Sequence, residues 1–188
     1  LLCDFIKGCQ SSMEVSQHWN QRLIKAAEEA MAANHPRAPE AALWSYNILS
    51  TNHDCDKPYF QRLVQRLAPS AKRIDPWFWE MIQGKANLTD AWDSRGGGWA
   101  YTVTEEKWKG FYDNLTEAKM HFEKALELHP ERFNPYIALI TVYMGLTSDM
   151  DDVTRVFKQV LKYDPENVSA YEKALWAMRP RWGGSIQL

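Results

Sequence analysis

Between Glu105 and Leu128 the apolar residues Trp108, Phe111, Leu115, Ala118, Phe122 and Ala125 recur at alternating spacings of three and four. That period places all six on one stripe of a single helix, with Thr104 as its expected cap. Asp113 and Asn114 both favour turns, so a break there is the alternative, but the apolar phase passes through them without a slip. Upstream, Val15, Trp19, Leu23, Ala26 and Ala30 share one face of a helix running from Ser11 or Ser12 to about Ala33. Pro39 opens a helix to about Leu49 and Pro58 another to about Leu67, because proline suits the first helical turn. Asp75 caps and Pro76 starts a helix carrying Trp77, Met81, Leu88 and Trp92, interrupted near Gly84 and ending before the glycine run at Gly96-Gly97-Gly98. Strand patterns are nearly absent outside the short "AYTVT".

The chain also repeats itself. "FEKALELHPE" (Phe122 to Glu131) realigns with "FKQVLKYDPE" (Phe157 to Glu166) at a shift of 35 residues, and Tyr136 then falls on Tyr171 and Pro130 on Pro165. Ala118, Phe122, Ala125 and Pro130 match the A-x3-F-x2-A-x4-P pattern that closes a tetratricopeptide repeat, and Val153, Phe157, Val160 and Pro165 match it with valines for alanines. Small residues let helices approach, the Phe plugs the groove between them, and the Pro follows the helix end. Residues 105 to 178 therefore resemble tetratricopeptide repeats, with one full helix pair from Pro135 to Tyr163. The first-helix motif is only outlined by Tyr136, Leu139 and Tyr143, with Ile140 where a packing Gly is expected. Before Ala118 the glycine run stands where a first helix should be.

"RGGGWAYTVTEEKWKGF" and "ALWAMRPRWGGS" resemble segments of an uncharacterised bacterial family of tetratricopeptide-like proteins, a domain of unknown function. That resemblance covers about residues 90 to 185 and implies no activity. It implies that another helix follows the final glycines, so the chain reads as part of a larger one. The expected fold is all-α: about eight helices, stacked as antiparallel pairs in a short tetratricopeptide-like solenoid. It divides into an irregular helical part (1–92), a Gly/Trp-rich connection (93–104) and the repeats (105–188), in one continuous domain.

Composition narrows the function classes. The chain has 188 residues, 45% of them hydrophobic, enough to bury a core. A net charge of −2 without a Lys/Arg block gives no attraction to nucleic acid, and no apolar run is long enough to span a membrane. Cys3, Cys9 and Cys55 show neither disulfide nor zinc spacing, which suits a cytoplasmic protein with reduced thiols. The chain begins at Leu1, so a removed N-terminal signal stays open; "LLCD" lacks the small residue that a lipoprotein cleavage site needs before Cys3.

No cofactor or metal is expected. The glycine run lies about seven residues before its helix, Glu105 and Glu106 would repel a phosphate, and no G-K-[ST] follows. His18, His35, His53, His121 and His129 lack metal-binding spacing, and "NHDCD" (Asn52 to Asp56) reads as a polar loop. Cys55 has no convincing base, and no nucleophile motif occurs.

Nine tryptophans serve either as core filler or as an aromatic groove. The glycine run and "RPRWGGS" are expected to face each other, with Arg179 or Arg181 stacked on Trp99 or paired with Asp93 or Glu105. The leading expectation is a non-enzymatic module that binds a protein or peptide, with Tyr136, Tyr143 and Tyr171 lining the groove and Arg179 and Arg181 gripping acidic groups. The alternative is a small-ligand or enzymatic pocket where the two loops meet. It would be lined by Arg95, Trp99, Trp108, Arg181 and Trp182, with Glu105 or Glu106 as acid or base.

Overall fold

The computed structural model describes residues 59–147 and 149–182, together with Lys25 and Glu29. Of the helix expected from Ser11 or Ser12 to about Ala33 only Lys25 and Glu29 are described, both helical; the helix expected from Pro39 and the "NHDCD" loop lie outside the described residues, as do all three cysteines and Gly183-Gly184. The described chain is all-α. Six α-helices follow one another: α1 (Tyr59–Leu67), α2 (Pro76–Arg95), α3 (Glu105–Leu128), α4 (Asn134–Leu146), α5 (Met150–Tyr163) and α6 (Val168–Ala177). Short 3-10 turns occupy Ala68–Arg73, Ala100–Thr102 and Pro180–Trp182, so "AYTVT" forms a turn.

The helix ends have local causes. Asp75 accepts a hydrogen bond from the Phe78 N–H at 2.9 Å, and Pro76 follows it at a position that needs no donor. Asn167 caps α6 in the same way, accepting from the Ala170 N–H at 2.9 Å. Thr104 accepts from the Lys107 N–H, while Glu105 and Glu106 complement the positive end of α3. α3 runs unbroken through Asp113 and Asn114. The Asn114 side chain donates to the Gly110 carbonyl at 2.8 Å, which turns its amide back onto the helix instead of into a turn.

α2 is also continuous, and the interruption expected at Gly84 does not occur. A Cβ on Gly84 would lie 2.6 Å from a ring carbon of Phe122, so the glycine permits close approach to α3. Glu80 meets His121, Gly84 meets Phe122 and Ser94 faces Gly110, a reversed order that makes α2 and α3 antiparallel. The helix paired with α3 is therefore α2, which precedes the glycine run; the glycines do not replace it. α2 also runs past Trp92 to Arg95, which narrows the connection to residues 96–104.

Further along, α4 packs on α3 and α5, and α6 on α4 and α5. Trp77, Phe78, Phe111, Phe122, Leu115, Ile140 and Val142 are fully buried and form the centre of one continuous core. Burying such side chains contributes about 1.5–3 kcal/mol each. The 35-residue repeat is visible in the backbone: α3 ends at Leu128 and α5 at Tyr163, each two residues before its proline.

Candidate functional site

Arg95 closes the last turn of α2 and is 6% exposed. Its guanidinium lies 5.4 Å from the Trp108 ring centroid and 5.3 Å from that of Trp182. Nη1 donates to the Gly96 carbonyl at 2.9 Å and the Gly98 carbonyl at 3.2 Å. The cation thus satisfies carbonyls that the helix end leaves free, and two indole faces shield it. Burial, and then the charge of Arg181, lower its pKa from the ordinary value. Trp92 meets Phe111 and Trp182 edge-on at 5.0 and 5.3 Å.

The glycine run and the "PRW" turn therefore meet, but through Arg95. Of the arginines expected to bridge them, Arg181 lies against its neighbour Trp182 at 5.0 Å and Arg179 stacks on Trp176 at 3.8 Å. Trp99 is 74% exposed.

An open cleft of about 540 Å³ lies beside this contact. α2 and the glycine run contribute Trp92, Arg95, Gly96 and Gly97 to it, and α4 contributes Thr141 and Met144. α6 adds Glu172, Lys173 and Trp176, and the terminal turn adds Arg181 and Trp182. Of the alternative pocket residues, Arg95, Arg181 and Trp182 line this cleft, Trp108 supports Arg95 from beneath, and Trp99 and Glu105 do not line it.

The cleft is positive. Burial lowers the pKa of Lys173, with Glu172 partly opposing the shift. Two turns before Trp92, the Lys85 ammonium is pushed down to about 8 by burial and by the charge of Lys173. Glu172 is the one acidic residue in the lining.

A second depression, of about 410 Å³, lies between α3 and α5. Tyr136, Leu139 and Tyr143 form its floor, with Glu123 and Glu127 on one wall and Arg155 on the other. The Tyr143 ring has Lys119 and Arg155 each 5.5 Å from its centroid, and its hydroxyl donates to Glu123 at 3.4 Å. Arg155 is further paired with Asp152 at 2.6 Å. The charges here largely neutralise one another.

The expected groove residues are thus divided. Tyr136 and Tyr143 lie seven apart on the α4 face turned to α3 and α5, whereas Thr141 and Met144 turn to the first cleft. Tyr171 packs edge-on against Phe157 at 5.2 Å and donates to the Pro165 carbonyl at 3.0 Å, half-exposed and in neither depression. Only Arg181 of that set lines the positive cleft.

Elsewhere, the buried carboxylate of Glu80 meets His121 Nδ1 and Lys124 Nζ, each at 2.7 Å. His129 pairs with Glu131 at 2.9 Å. Among the described residues no group of His, Cys, Asp or Glu could hold a metal ion, and no helix is long and apolar enough to cross a membrane.

Trp92, Lys173 and Trp176, which line the cleft, were not among the expected site residues, and the only local signal is the spacing of Trp92 and Arg95 along one side of α2. Searched against protein-family models, curated proteins and solved structures, the chain matches none.

Proposed function

We propose that the helices form a short tetratricopeptide-like solenoid, with α2–α3 and α4–α5 as antiparallel pairs and α6 beginning a third. In this reading the chain is a non-enzymatic, cytoplasmic interaction module that binds a protein or peptide segment. The observation that supports it is the cleft shared by α2, α4 and α6, the first helix of each pair, where indoles and cations lie side by side. Helical arrays bind segments along such inner faces. The reading keeps Arg181 in the groove and replaces the tyrosines with Trp92, Lys173 and Trp176.

A photo-crosslinking amino acid in place of Trp176 tests the proposal. It should attach to a discrete protein in cells, whereas the same group at Tyr136, in the second depression, should not. Equal labelling from both positions would remove the support for this cleft.

A second reading, a small-ligand pocket, is favoured by the size of the cleft, which falls in the range of ligand sites. Its enzymatic form loses its proposed acid, because neither Glu105 nor Glu106 lines the cleft. A small molecule retained through purification and released on denaturation would favour this reading.

A further inference from the structure

We infer that the segment held by this cleft is an acidic peptide with a bulky apolar side chain beside its carboxylates. The inference rests on the binding-module reading above and adds the chemistry of the partner. Lys85, Lys173 and Arg181 have no ion-pair partner among the described residues, and Arg95 is held between indoles without one. Three of these cations, Arg95, Lys173 and Arg181, line the cleft against the single carboxylate of Glu172, and Lys85 stands behind the lining, close enough to feel the charge of Lys173.

The chain as a whole carries a formal charge of −2, so the excess of cations in this lining runs against its overall charge. Burial disfavours the charged form of Lys173, and the charge of Lys173 in turn disfavours that of Lys85. A basic or neutral occupant would bury Lys173 further without compensation, while a carboxylate would favour its charged form.

Arg95 cannot swing out to meet a partner. Its Nη1 is committed to two glycine carbonyls, and its Nε is buried without an acceptor. It supplies a fixed positive floor. Arg181, exposed and resting on the Trp182 face, and Lys173 supply the donors that can reach a carboxylate. Beside them Trp92, Met144 and Trp176 form an apolar wall, and Trp176 is 43% exposed, so the wall has open area for a large side chain. A long polyanion is a poorer match, because the negative chain around the cleft gives it no long-range attraction.

Selection of a random dodecapeptide phage library on the full chain tests this, with the double variant K173Q/R181Q and the single variant W176A as counter-targets. The expected result is a set of peptides rich in Asp and Glu with an aromatic or leucine residue among them. As synthetic peptides they should lose at least about tenfold in affinity on K173Q/R181Q, and bind more weakly as salt rises.

Acidic peptides that bind the double variant unchanged would overturn the inference, since they would sit elsewhere. Neutral or basic peptides that depend on Trp176 would also overturn it, while leaving the binding-module reading in place. Enrichment that depends on neither Trp176 nor the cations would overturn both. If circular dichroism shows the double variant to be unfolded, R181Q alone replaces it, because Arg181 is exposed and its loss leaves the core intact.

Discussion

Gly84 of α2 lies flat against the Phe122 ring of α3, with room for a hydrogen but not for a methyl group. Phe122 is fully buried and cannot move aside without displacing the core. Gly84→Ala should therefore destabilise the protein by about 1–3 kcal/mol, although alanine is the better helix former by about 1 kcal/mol. Phe122→Leu should lose stability on its own. Combined with Gly84→Ala it should cost less than the sum of the two, because the smaller side chain opens the space that the methyl needs. Urea unfolding of the four proteins measures the coupling; strict additivity would show that the contact does not matter.

This contact also marks where sequence reasoning ends. The α3 bounds were legible because its apolar stripe and Thr104 cap are local signals, and the matching ends of α3 and α5 were legible in the repeat. Glycine in a helical pattern has two meanings, a weak point or a close approach. Only the partner Phe122, 38 positions away, decides between them. The cleft was less legible for the same reason: Trp92 and Lys173 share it only after α2, α4 and α6 are stacked. Tyr136 and Tyr143 were expected in a partner groove; they share one face of α4, and the chain alone does not say which neighbour that face meets. The two arginine-tryptophan segments were expected to meet, and they do. The expected link was Arg179 or Arg181; that Arg95 makes it follows from which guanidinium is buried between rings.

Arg95 should tolerate no replacement that keeps only its charge. Lysine cannot stack its ammonium as a plane between Trp108 and Trp182 while donating to the Gly96 and Gly98 carbonyls. Arg95→Lys should cost about 1–3 kcal/mol and alter the near-ultraviolet circular dichroism of the indoles. Unchanged stability and an unchanged spectrum would mean that the two loops are held together without it.

Glu80 predicts a dependence on acid. Burial alone would raise its pKa, but the hydrogen bonds from His121 and Lys124 outweigh burial and hold it below the usual 4.5. A lowered carboxylate pKa contributes stability that is present above about pH 4.5 and is lost as the pH falls through the folded value. Glu80→Gln should cost about 1–3 kcal/mol at pH 7. The gap between the wild-type and variant melting temperatures should close as the pH is lowered from 5 towards 3. A gap that is constant across that range would show that folding does not lower the Glu80 pKa.

In Lys85 it is the charged form that opposes the fold. Its folded value of about 8 lies below the ordinary 10.5, so the folded protein binds fewer protons than the unfolded chain between those two values. Stability should rise with pH across that window, and below pH 8 the charged form costs the fold its full penalty. Lys85→Met should then stabilise the protein at pH 7 by about 1–2 kcal/mol, with the gain shrinking above pH 8. Acetylation of Lys85, followed by mass spectrometry against pH, should reach half its maximal rate near pH 8, while exposed lysines such as Lys109 still rise. A Lys85 profile that follows Lys109 would contradict the burial.

The glycine run itself separates into unequal parts. Gly96 has φ +70° and ψ 177° where the chain leaves α2, a conformation that a side chain strains whatever space surrounds it. Its N–H closes the helix on the Trp92 carbonyl at 2.9 Å, so the geometry cannot relax without opening the last turn that positions Arg95. A Cβ on Gly97 would meet nothing within 4 Å, and Gly97 does not share the positive φ. Gly96→Ala should therefore cost about 1–3 kcal/mol, and Gly97→Ala should be neutral within about 0.5 kcal/mol. Gly98→Ala should fall between them: its methyl would come 2.7 Å from Thr102 Oγ1, and that hydroxyl donates to the Trp99 carbonyl at 2.7 Å but can rotate away. Thermal unfolding of the three variants ranks them directly. Equal losses at Gly96 and Gly97 would mean that the run serves chain flexibility as a whole, and a loss confined to Gly96 and Gly98 would mean that it builds the corner beside Arg95.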